Sequence, residues 1–432
     1  MSEPVLITGY GWVSPLGNSA QVFDKNLFEG FSAVQPRAIE LPFQTTVHVP
    51  VAACDFDHTK VQSTSKVPLD RATAMALTAA KDALIDAGLA TAKQDAKSED
   101  ILQFGHNFQL AMGSIDPTRV GVFWGSGMAG AFSFDQTAEQ IYQHGKRVRP
   151  TSVVTIMPNS AAAELALLVK AQGACMTYAC ACASSSVAMG EALRALRAGW
   201  LDVAVVGGSE AMLTSGVLAS WNALRVLAPI GETPSNACRP FSQNRSGFAL
   251  GEGAGAFVLE RQEHALKRGG HPSRPQIELR GYASNCDATH LTLPDAPGQV
   301  RAMGAALKDA KLSPREIGYI NAHATATSAG DSAEVRSVTQ VLGSQIPISS
   351  TKAQFGHLLG AAGALEMLVA IRALERQMLP PNAHLSSESV DPEFKLNFVQ
   401  GKGTPQHLEH VLSNSFAFGG TNAVLIASLI KS

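Results

Sequence analysis

The chain has 432 residues, of which 45% are hydrophobic and 16% are charged, and its formal net charge at pH 7 is −2. This length exceeds what one hydrophobic core usually serves, so we expect two domains or two closely packed halves. The near-neutral charge argues against a nucleic-acid partner, which would require a concentrated basic excess.

The N-terminus and the cysteines both bear on cellular location. No run approaches the roughly 18 apolar residues of a membrane span, and the first residues lack the basic and apolar regions of a secretory signal. The six cysteines are few and scattered for this length, unlike a disulfide framework. We therefore expect reduced thiols, no membrane contact and a cytoplasmic protein.

The first half alternates short Val- and Ile-rich runs with Ala-rich helical patterns, which is typical of α/β proteins with buried strands. Helices are predicted at 70–89, stopped by Gly88, and at 185–199, stopped by Gly199. Residues 90–117 form a long polar insertion of unassigned role. Strands are predicted at 4–11, 119–127, 174–181, 202–210 and 253–261.

A polar, glycine-bearing passage at 261–275 marks the predicted joint between two halves, 1–262 and 263–432. The rhythm of strands and helices restarts after it, which indicates a duplicated unit. Helices are predicted at 300–312, 332–343 and 362–377, and strands at 276–285, 317–325 and 346–351. Two further strands, 396–400 and 410–429, are predicted to pair with each other.

Two local patterns could indicate ligands. GSGMAG at 125–130 matches the dinucleotide fingerprint, but no acidic residue follows about 20 residues later to hold a ribose hydroxyl, so we interpret the glycines as a packing turn. Cys180 and Cys182 could begin a zinc site. No second Cys or His pair with ligand spacing appears, so we expect no metal.

The segment TYACACASSSVAMGEALRAL, residues 177–196, sets two cysteines just before a helix. A strand ending near Ala181, followed by a helix from about Ser184, would put Cys180 and Cys182 on one side and Cys182 at the elbow. The positive end of the helix dipole would then lower the pKa of that thiol. The competing interpretation is that both cysteines are small apolar residues that only pack in the core. The helix would be anchored in the core by Met189, Leu193 and Leu196.

Two histidines favour the catalytic interpretation. His323 in NAHATAT and His357 in STKAQFGHLLGAAG each lie immediately beyond a predicted strand, in loops with few other bulky side chains. A lone loop histidine is usually incidental. Two of them, one beside a buried-looking Lys352, together with a thiol at an elbow, suggest nucleophilic and acid–base chemistry.

Together with the closing motif NSFAFGGTNA, these motifs resemble the elongating β-ketoacyl-[acyl-carrier-protein] synthases, types I and II. The likeness runs from ITGYGWVSPLG to the last strand. It implies the thiolase fold, an α/β fold of two duplicated halves in five αβαβα layers. It also implies a homodimer or a heterodimer with a ketosynthase paralogue, substrates carried on the phosphopantetheine of an acyl carrier protein, and no resident cofactor or metal.

The family pattern also assigns residues. Its nucleophile precedes a helical glycine by eight residues, a spacing that Cys182 and Gly190 share and Cys180 lacks, so Cys182 is the implied acyl acceptor. His323 and His357 would be the catalytic histidines of decarboxylation. The resemblance also implies supporting charges, backbone donors and substrate contacts. These are the charged residues Lys352, Glu366, Asp331 and Glu334, the oxyanion-binding N–H groups of Cys182 and Phe418, and the substrate contacts Thr325, Thr327, Phe416, Phe418 and Met128.

The implied reaction is a decarboxylative Claisen condensation of an acyl-Cys182 enzyme with a malonyl thioester. It would extend chains in fatty acid, polyketide or aryl polyene assembly. A non-catalytic partner similar to chain length factors is the alternative, although such partners lack the nucleophile that this chain keeps. A zinc protein that uses Cys180 and Cys182 is a further alternative.

Three features mark possible specialisation. Met128 falls where the family lines the far end of its acyl pocket across the dimer interface, so Met128→Ala should extend the accepted chain. The basic patch of Lys146, Arg147 and Arg149 is either a solvated loop or a docking site for an acidic carrier protein. Alanines stand where the family usually has glycine, and the added Cβ could restrict the backbone at Ala324 and Ala417.

Overall fold

The structure is a computed structural model that describes residues 3–41, 45–63, 67–92, 102–103, 108–112, 115–269 and 276–430. Within these ranges the main feature is one continuous sheet of eleven strands. In chain order they are β1 (Val5–Val13), β2 (Val120–Gly125), β3 (Cys175–Tyr178), β4 (Val203–Glu210), β5 (Gly253–Arg261), β6 (Ile277–Cys286), β7 (Tyr319–Asn321), β8 (Pro347–Ser349), β9 (Asn397–Phe398), β10 (His410–Phe416) and β11 (Thr421–Leu429).

The strands fall into two sets with the same connectivity. The first set has the order β1-β5-β4-β2-β3 across the sheet, and the second has β6-β11-β10-β7-β8, with β9 added at the edge. In each set the last strand in sequence pairs antiparallel with both neighbours, and the remaining pairs are parallel. The sets meet where β1 pairs with β6. This repeated order agrees with the duplication that the sequence predicts, while the boundary at residue 262 stays a prediction.

The helices in the described part of the chain alternate with the two strand sets. They are α1 (Ala20–Glu29), α2 (Arg71–Asp86), α3 (Ala131–Tyr142), α4 (Ser152–Ile156), α5 (Ser160–Val169), α6 (Ser184–Arg197), α7 (Ser215–Ala223), α8 (Gln262–Lys267), α9 (Ala296–Ala310), α10 (Ser328–Leu342), α11 (Lys352–Phe355) and α12 (Ala362–Arg376).

Three helical layers hold the core together. α6 and α12 pack together between the two strand sets and are buried along most of their length. α2 and α5 cover the outer face of the first set, and α9 and α10 cover that of the second. Each helix layer buries its apolar side against a sheet face. The result is the five-layered αβαβα arrangement of the thiolase fold.

The first strand of each set carries the same irregularity. The pairing register shifts between Ile7 and Gly9 in β1, and between Leu279 and Gly281 in β6. A Cβ at Gly9 would lie 2.2 Å from a backbone oxygen of α2, and a Cβ at Gly281 would lie 2.8 Å from a backbone oxygen of α9. Each glycine therefore lets a helix pack directly against its strand.

The structure corrects three predicted strands. The strand predicted at 174–181 ends at Tyr178, and the one at 396–400 shrinks to β9 and pairs with β8 instead of 410–429. The stretch 410–429 is a hairpin of β10 and β11, because Gly419 and Gly420 take left-handed conformations with φ of 83° and 78° and turn the chain. The predicted stops at Gly88 and Gly199 are confirmed, since both are left-handed just after their helices.

Sequence reasoning missed α1, α3 to α5, α7, α8 and α11, and a small sheet formed by Gln35–Leu41, Thr45–Ala52 and Leu250–Gly251. The predicted insertion at 90–117 lies largely outside the described residues. Its described parts add short strands, and the remaining two-stranded ladders are Ala90–Ala92 with Phe108–Leu110, Val61–Gln62 with Leu102–Gln103, and Met378–Leu379 with Thr404–Pro405. In the part of the chain that the structure describes, none of the helices has the length and apolar character needed to cross a membrane.

Candidate active site

Cys182 lies in a single 3-10 turn, Ala181–Ala183, directly before α6. Because β3 ends at Tyr178, neither cysteine is on a strand, and the predicted strand alternation that placed Cys180 and Cys182 on one side is wrong. The turn begins with Ala181 in the left-handed region at φ 47°, which costs a non-glycine residue about 1 kcal/mol. α6 begins at Ser184, as predicted, and buries its predicted anchors Met189, Leu193 and Leu196.

Two contacts hold this turn in place. The Oγ of Ser184 accepts the N–H of Cys180 at 2.9 Å and donates to the carbonyl of Ala181 at 2.6 Å, and these bonds hold the chain in its turn beyond β3. Further along α6, a Cβ at Gly190 would lie 2.2 Å from the ring of Tyr282 on β6. The glycine eight residues after Cys182 is therefore required by close packing between the two halves of the molecule.

Two histidines from the second half reach the thiol. His323 follows β7, as predicted, whereas His357 does not lie immediately beyond a strand, because α11 separates it from β8. The Nε2 of His357 lies 3.0 Å from the Sγ of Cys182. Ligand atoms of the three residues lie within 4.8 Å of one another, and all three side chains are buried. The structure thus brings together the three residues that the sequence singles out.

Lys352 and Glu366 form a fully buried ion pair near this group. The Nζ of Lys352 donates to Oε1 of Glu366, and Oε2 of Glu366 has no hydrogen-bond partner among the described residues. Lys352 is therefore the cation that stabilises the buried negative charge of Glu366. Its charge also acts on Cys182 and on both histidines.

The other two predicted acidic residues, Glu334 and Asp331, accept hydrogen bonds from backbone N–H groups. Glu334 accepts the N–H of His323 at 2.9 Å and that of the following residue at 2.7 Å, so it fixes the loop that carries the histidine. Asp331 accepts the N–H of Phe241 at 2.8 Å and lies 4.0 Å from Arg245. Burial raises the pKa of Asp331 to about 7. Both residues therefore act through the backbone and not on the thiol itself.

Electrostatics at the thiol differ from the expectation. Burial raises the pKa of Cys182 to about 12, and the charge of Lys352 only partly opposes this. The predicted lowering of the thiol pKa is wrong for this resting state, because desolvation outweighs the favourable charges and backbone donors. Burial, aided by Lys352, lowers the pKa of His323 and of His357 well below the ordinary value of 6.5. The site therefore holds a neutral thiol beside two neutral imidazoles.

A cavity of about 310 Å³ borders Cys182 and contains most of the predicted substrate contacts. Thr325 and Thr327 line it with hydroxyls 3.0 Å apart, and Thr327 also caps α10. Phe416 and Phe418 line it as well. The backbone N–H groups of Phe418 and of Cys182 itself act on the thiol sulfur and lower its pKa. These are the two donors predicted to bind an oxyanion.

Two predicted features lie apart from this cavity. Met128 is 48% exposed and lines a second, open cavity of about 580 Å³. Its role at the end of an acyl pocket stays a prediction. Lys146, Arg147 and Arg149 are exposed and line a groove of about 1040 Å³. Docking of a carrier protein there also stays a prediction.

Ala324 and Ala417 border the cavity where the resemblance leads us to expect glycine. Neither residue is in the left-handed region, so the backbone tolerates a Cβ at both positions.

Sequence reasoning missed two aromatic residues. The ring of Phe248 meets that of His357 edge-on at 5.3 Å between centroids. The ring of Trp221, on α7, lies 6.2 Å from that of Phe418. Both residues come from segments without a chemical motif, and their large apolar rings were the only signal available.

Within the described residues, the Cys182, His323 and His357 atoms also form the group that could hold a metal ion. A structural zinc site usually takes four ligands, and this group offers three. Cys180 does not belong to it. The cysteine-pair version of the zinc alternative therefore has no support in the described residues.

Comparison with known proteins agrees with this geometry. Residues 2–265 match the family described as Beta-ketoacyl synthase, N-terminal domain, and residues 277–386 match Beta-ketoacyl synthase, C-terminal domain. The chain is 33% identical to 3-oxoacyl-[acyl-carrier-protein] synthase 2 of Synechocystis sp., covering 98% of this chain and 97% of that protein. It is 36% identical to nodulation protein E of Rhizobium leguminosarum bv. trifolii, covering 98% and 99%.

Solved structures show the same fold over the whole length. A chain from a type II polyketide synthase complex, an acyl-carrier protein with its ketosynthase bound to the hexaketide, gives a TM-score of 0.84 at 28% identity, with 100% of both chains covered. A β-ketoacyl synthase from Burkholderia phymatum gives 0.82 at 31% identity, covering 99% of this chain and 100% of that one. A chain from the complex of the ketosynthase ApeO with its chain length factor ApeC, from Xenorhabdus doucetiae, gives 0.79 at 27% identity, covering 99% of this chain and 98% of that one. This chain belongs to the β-ketoacyl synthase family.

Proposed function

We propose that the chain is a 3-oxoacyl-[acyl-carrier-protein] synthase, an acyltransferase that forms C–C bonds by decarboxylative Claisen condensation. The observation that carries this proposal is the 3.0 Å contact between Sγ of Cys182 and Nε2 of His357, with His323 beside them. The relatives named 3-oxoacyl-[acyl-carrier-protein] synthase support it.

In the first half-reaction, Sγ of Cys182 attacks the carbonyl carbon of an acyl thioester. Because the pKa of the thiol is raised to about 12, its proton leaves during the attack instead of beforehand. His357 takes that proton and passes it to the departing pantetheine sulfur as the old C–S bond breaks. The N–H groups of Cys182 and Phe418 stabilise the oxyanion between these events.

In the second half-reaction, a malonyl thioester loses CO₂ and leaves an enolate. His323 is neutral and donates its N–H to the enolate oxygen. His357 is also neutral, and it donates alongside His323 once the ring proton that it carries on Nδ1 as a base has moved to Nε2, the nitrogen beside the thiol. The buried site strengthens these bonds. The carbanion attacks the carbonyl of acyl-Cys182, a C–C bond forms, and the Cys182 sulfur leaves as a thiolate that takes a proton from solvent water. The product is a 3-oxoacyl thioester. We expect no resident metal or organic cofactor in this sequence of steps.

We propose an acyl carrier protein as the source of both substrates. Thr325 and Thr327 would contact its phosphopantetheine arm, and the patch of Lys146, Arg147 and Arg149 would contact its acidic surface. A similar solved structure holds an acyl carrier protein with its ketosynthase, and others hold ketosynthases with chain length factors. A homodimer or a heterodimer with a ketosynthase paralogue, working in the cytoplasm, is proposed on this basis and on composition.

The alternative is a non-catalytic partner similar to a chain length factor. The complete set of Cys182, His323 and His357 in one buried cluster favours the catalytic proposal. The products could serve fatty acid, polyketide or aryl polyene assembly.

The test separates the two half-reactions in a reconstituted assay with acyl- and malonyl-carrier protein. We expect His323→Ala to slow CO₂ release by about 100-fold, the usual cost of one oxyanion donor, while acylation of Cys182 continues. His407→Ala, at an exposed histidine, is the matched control and should leave both rates unchanged. A wild-type protein that yields no 3-oxoacyl product with any carrier-bound acyl chain would contradict the proposal. Stoichiometric zinc in the purified protein would favour the metal alternative.

A further inference from the structure

The cavity beside Cys182 and the open cavity beside Met128 are neighbours separated by α7. Both are lined by Trp221 and Leu224, from the end of this helix and the residue after it. Met128 lines the open cavity and does not line the one beside Cys182. Two side chains therefore form the wall between the thiol and an apolar space larger than the thiol's own cavity.

Trp221 is held in this wall by two aromatic rings. Its ring meets that of Phe248 edge-on at 5.7 Å and lies 6.2 Å from that of Phe418 at a 30° tilt. Phe248 in turn packs against the ring of His357. The indole is thus fixed by residues that also border the reacting groups.

The lining of the thiol cavity is of two kinds. Thr325 and Thr327 supply hydroxyls, while Phe248 and Leu359 supply apolar surface together with the wall, and the ring of Phe248 joins that of Trp221 to that of His357 beside the thiol. An apolar chain attached to Sγ is stabilised against apolar surface and not against hydroxyls. The chain would therefore point towards Trp221.

We propose that Trp221 limits the length of the acyl chain by closing the thiol cavity from the Met128 cavity. The inference rests on the proposed function and adds its substrate class: short acyl thioesters. The closed cavity of about 310 Å³ must hold the end of the pantetheine arm as well as the acyl group, which leaves room for a short chain only.

The test measures the rate at which Cys182 is acylated, by intact-protein mass, with acetyl, hexanoyl and dodecanoyl carrier-protein thioesters. The wild type should accept acetyl and hexanoyl groups much faster than dodecanoyl. Trp221→Ala should raise the dodecanoyl rate by about ten-fold or more, the scale of hydrophobic-pocket discrimination, with the acetyl rate little changed. Trp200→Ala, at a tryptophan that is 74% exposed, is the matched control and should behave as wild type.

A double variant sharpens the test. The sequence alone predicts that Met128→Ala extends the accepted chain. Because the wall of Trp221 and Leu224 stands between Met128 and the thiol, we expect instead that this change alone leaves the chain-length preference of the wild type. When Met128→Ala is combined with Trp221→Ala, it should raise the dodecanoyl rate above that of Trp221→Ala alone. The effects of the two substitutions on this rate are therefore expected to be coupled and not additive.

The outcomes separate the inference from the function on which it rests. A wild type that accepts all three chains at similar rates, or a Trp221→Ala variant that keeps the wild-type preference, would overturn the role of Trp221 and leave the synthase function standing. A wild type acylated by none of the three would overturn both.

Discussion

The turn before α6 and the turn before α12 have similar backbone conformations, but their middle residues differ in chemistry. Ala181–Ala183 and Leu359–Ala361 are both single 3-10 turns, and each starts with a non-glycine residue in the left-handed region, at φ 47° and 49°. The middle residue is Cys182 in the first turn and Gly360 in the second. The duplicated fold thus offers two equivalent elbows, and only one of them carries a nucleophile.

The difference follows from what each turn touches. Beside Cys182 there is a cavity for its side chain and substrate. At Gly360 a Cβ would lie 2.1 Å from the backbone nitrogen of Gly127, and Glu210 accepts the N–H of both glycines, at 3.0 Å and 2.6 Å. The second turn therefore serves as a packing surface that fixes the position of the first. The same strained backbone thus presents a thiol to a cavity in one half and packs closely against its neighbours in the other.

The largest expected effect comes from adding a Cβ to the packing turn. The new Cβ of Gly360→Ala would clash with the backbone of Gly127. We expect a loss of several kcal/mol in the free energy of unfolding, on the order of other severe core changes, or too little folded protein for assay. Thermal unfolding measures this. Gly304→Ala, in α9 where a Cβ meets nothing within 4 Å, should instead stabilise by about 0.5–1 kcal/mol. Equal behaviour of the two variants would contradict the account of the packing turn.

The catalytic turn is tested by the reactivity of its thiol. Burial raises the pKa of Cys182 from 9.0 to about 12, which lowers the thiolate fraction at neutral pH by about a thousand-fold. Because the thiolate fraction rises with pH until the pKa is passed, alkylation by iodoacetamide should accelerate about ten-fold per pH unit between pH 7 and 9. Peptide mapping measures the alkylation rate of Cys182, and alkylation of the exposed Cys286 in the same sample controls for the activity of the reagent. An alkylation rate that stops rising below pH 8 would contradict this prediction. It would show that the helix dipole lowers the pKa of Cys182 by more than burial raises it.

The charges at the two turns also differ. Glu366 lies six residues after Gly360, whereas Ala188 lies six residues after Cys182, so the helix after the first turn has no counterpart to Glu366 and its ion pair with Lys352. Lys352→Met would leave Glu366 buried without its cation, and we expect a loss of about 3–5 kcal/mol in the free energy of unfolding. Chemical denaturation measures it, with the exposed Lys308→Met as control. Stability equal to the control would mean that Glu366 is protonated or solvated without Lys352.

The smallest effect concerns the left-handed residue that begins each turn. Ala181→Gly relieves strain of about 1 kcal/mol but makes the unfolded chain more flexible, so we expect a change within about 1 kcal/mol. Leu359→Gly relieves the same strain but removes a buried side chain, and should cost about 2–4 kcal/mol. Denaturant unfolding of both variants provides the comparison. Equal losses at the two positions would show that the turns do not share their backbone strain.

The sequence predicts the site better than the details of its backbone. Cys182, His323 and His357 stand in motifs, and the predicted strands placed each of them directly beyond a strand, which the structure confirms for His323. The end of β3 at Tyr178 was missed because the chain beyond it forms a turn that Ser184 holds through Cys180 and Ala181, and strand propensity does not predict such side-chain contacts. The sign of the thiol pKa shift was missed because burial depends on contacts with the second half, which no local pattern contains.

Trp221 shows a further limit of sequence reasoning. Its role depends on two cavities that meet across α7, and only the folded chain brings them together. Gly190 shows the reverse case, in which a spacing visible in the sequence acquires its physical reason from the ring of Tyr282.

The account depends most on the claim that Cys182, in the one elbow with space for a side chain, accepts the acyl group. Incubation with hexanoyl carrier-protein thioester, followed by intact-protein mass and peptide mapping, tests it directly. We predict one hexanoyl group on the wild type, located at Cys182, the same mass shift for Cys180→Ala, and no shift for Cys182→Ala. A hexanoyl group at another residue, or one that persists in Cys182→Ala, would contradict the account.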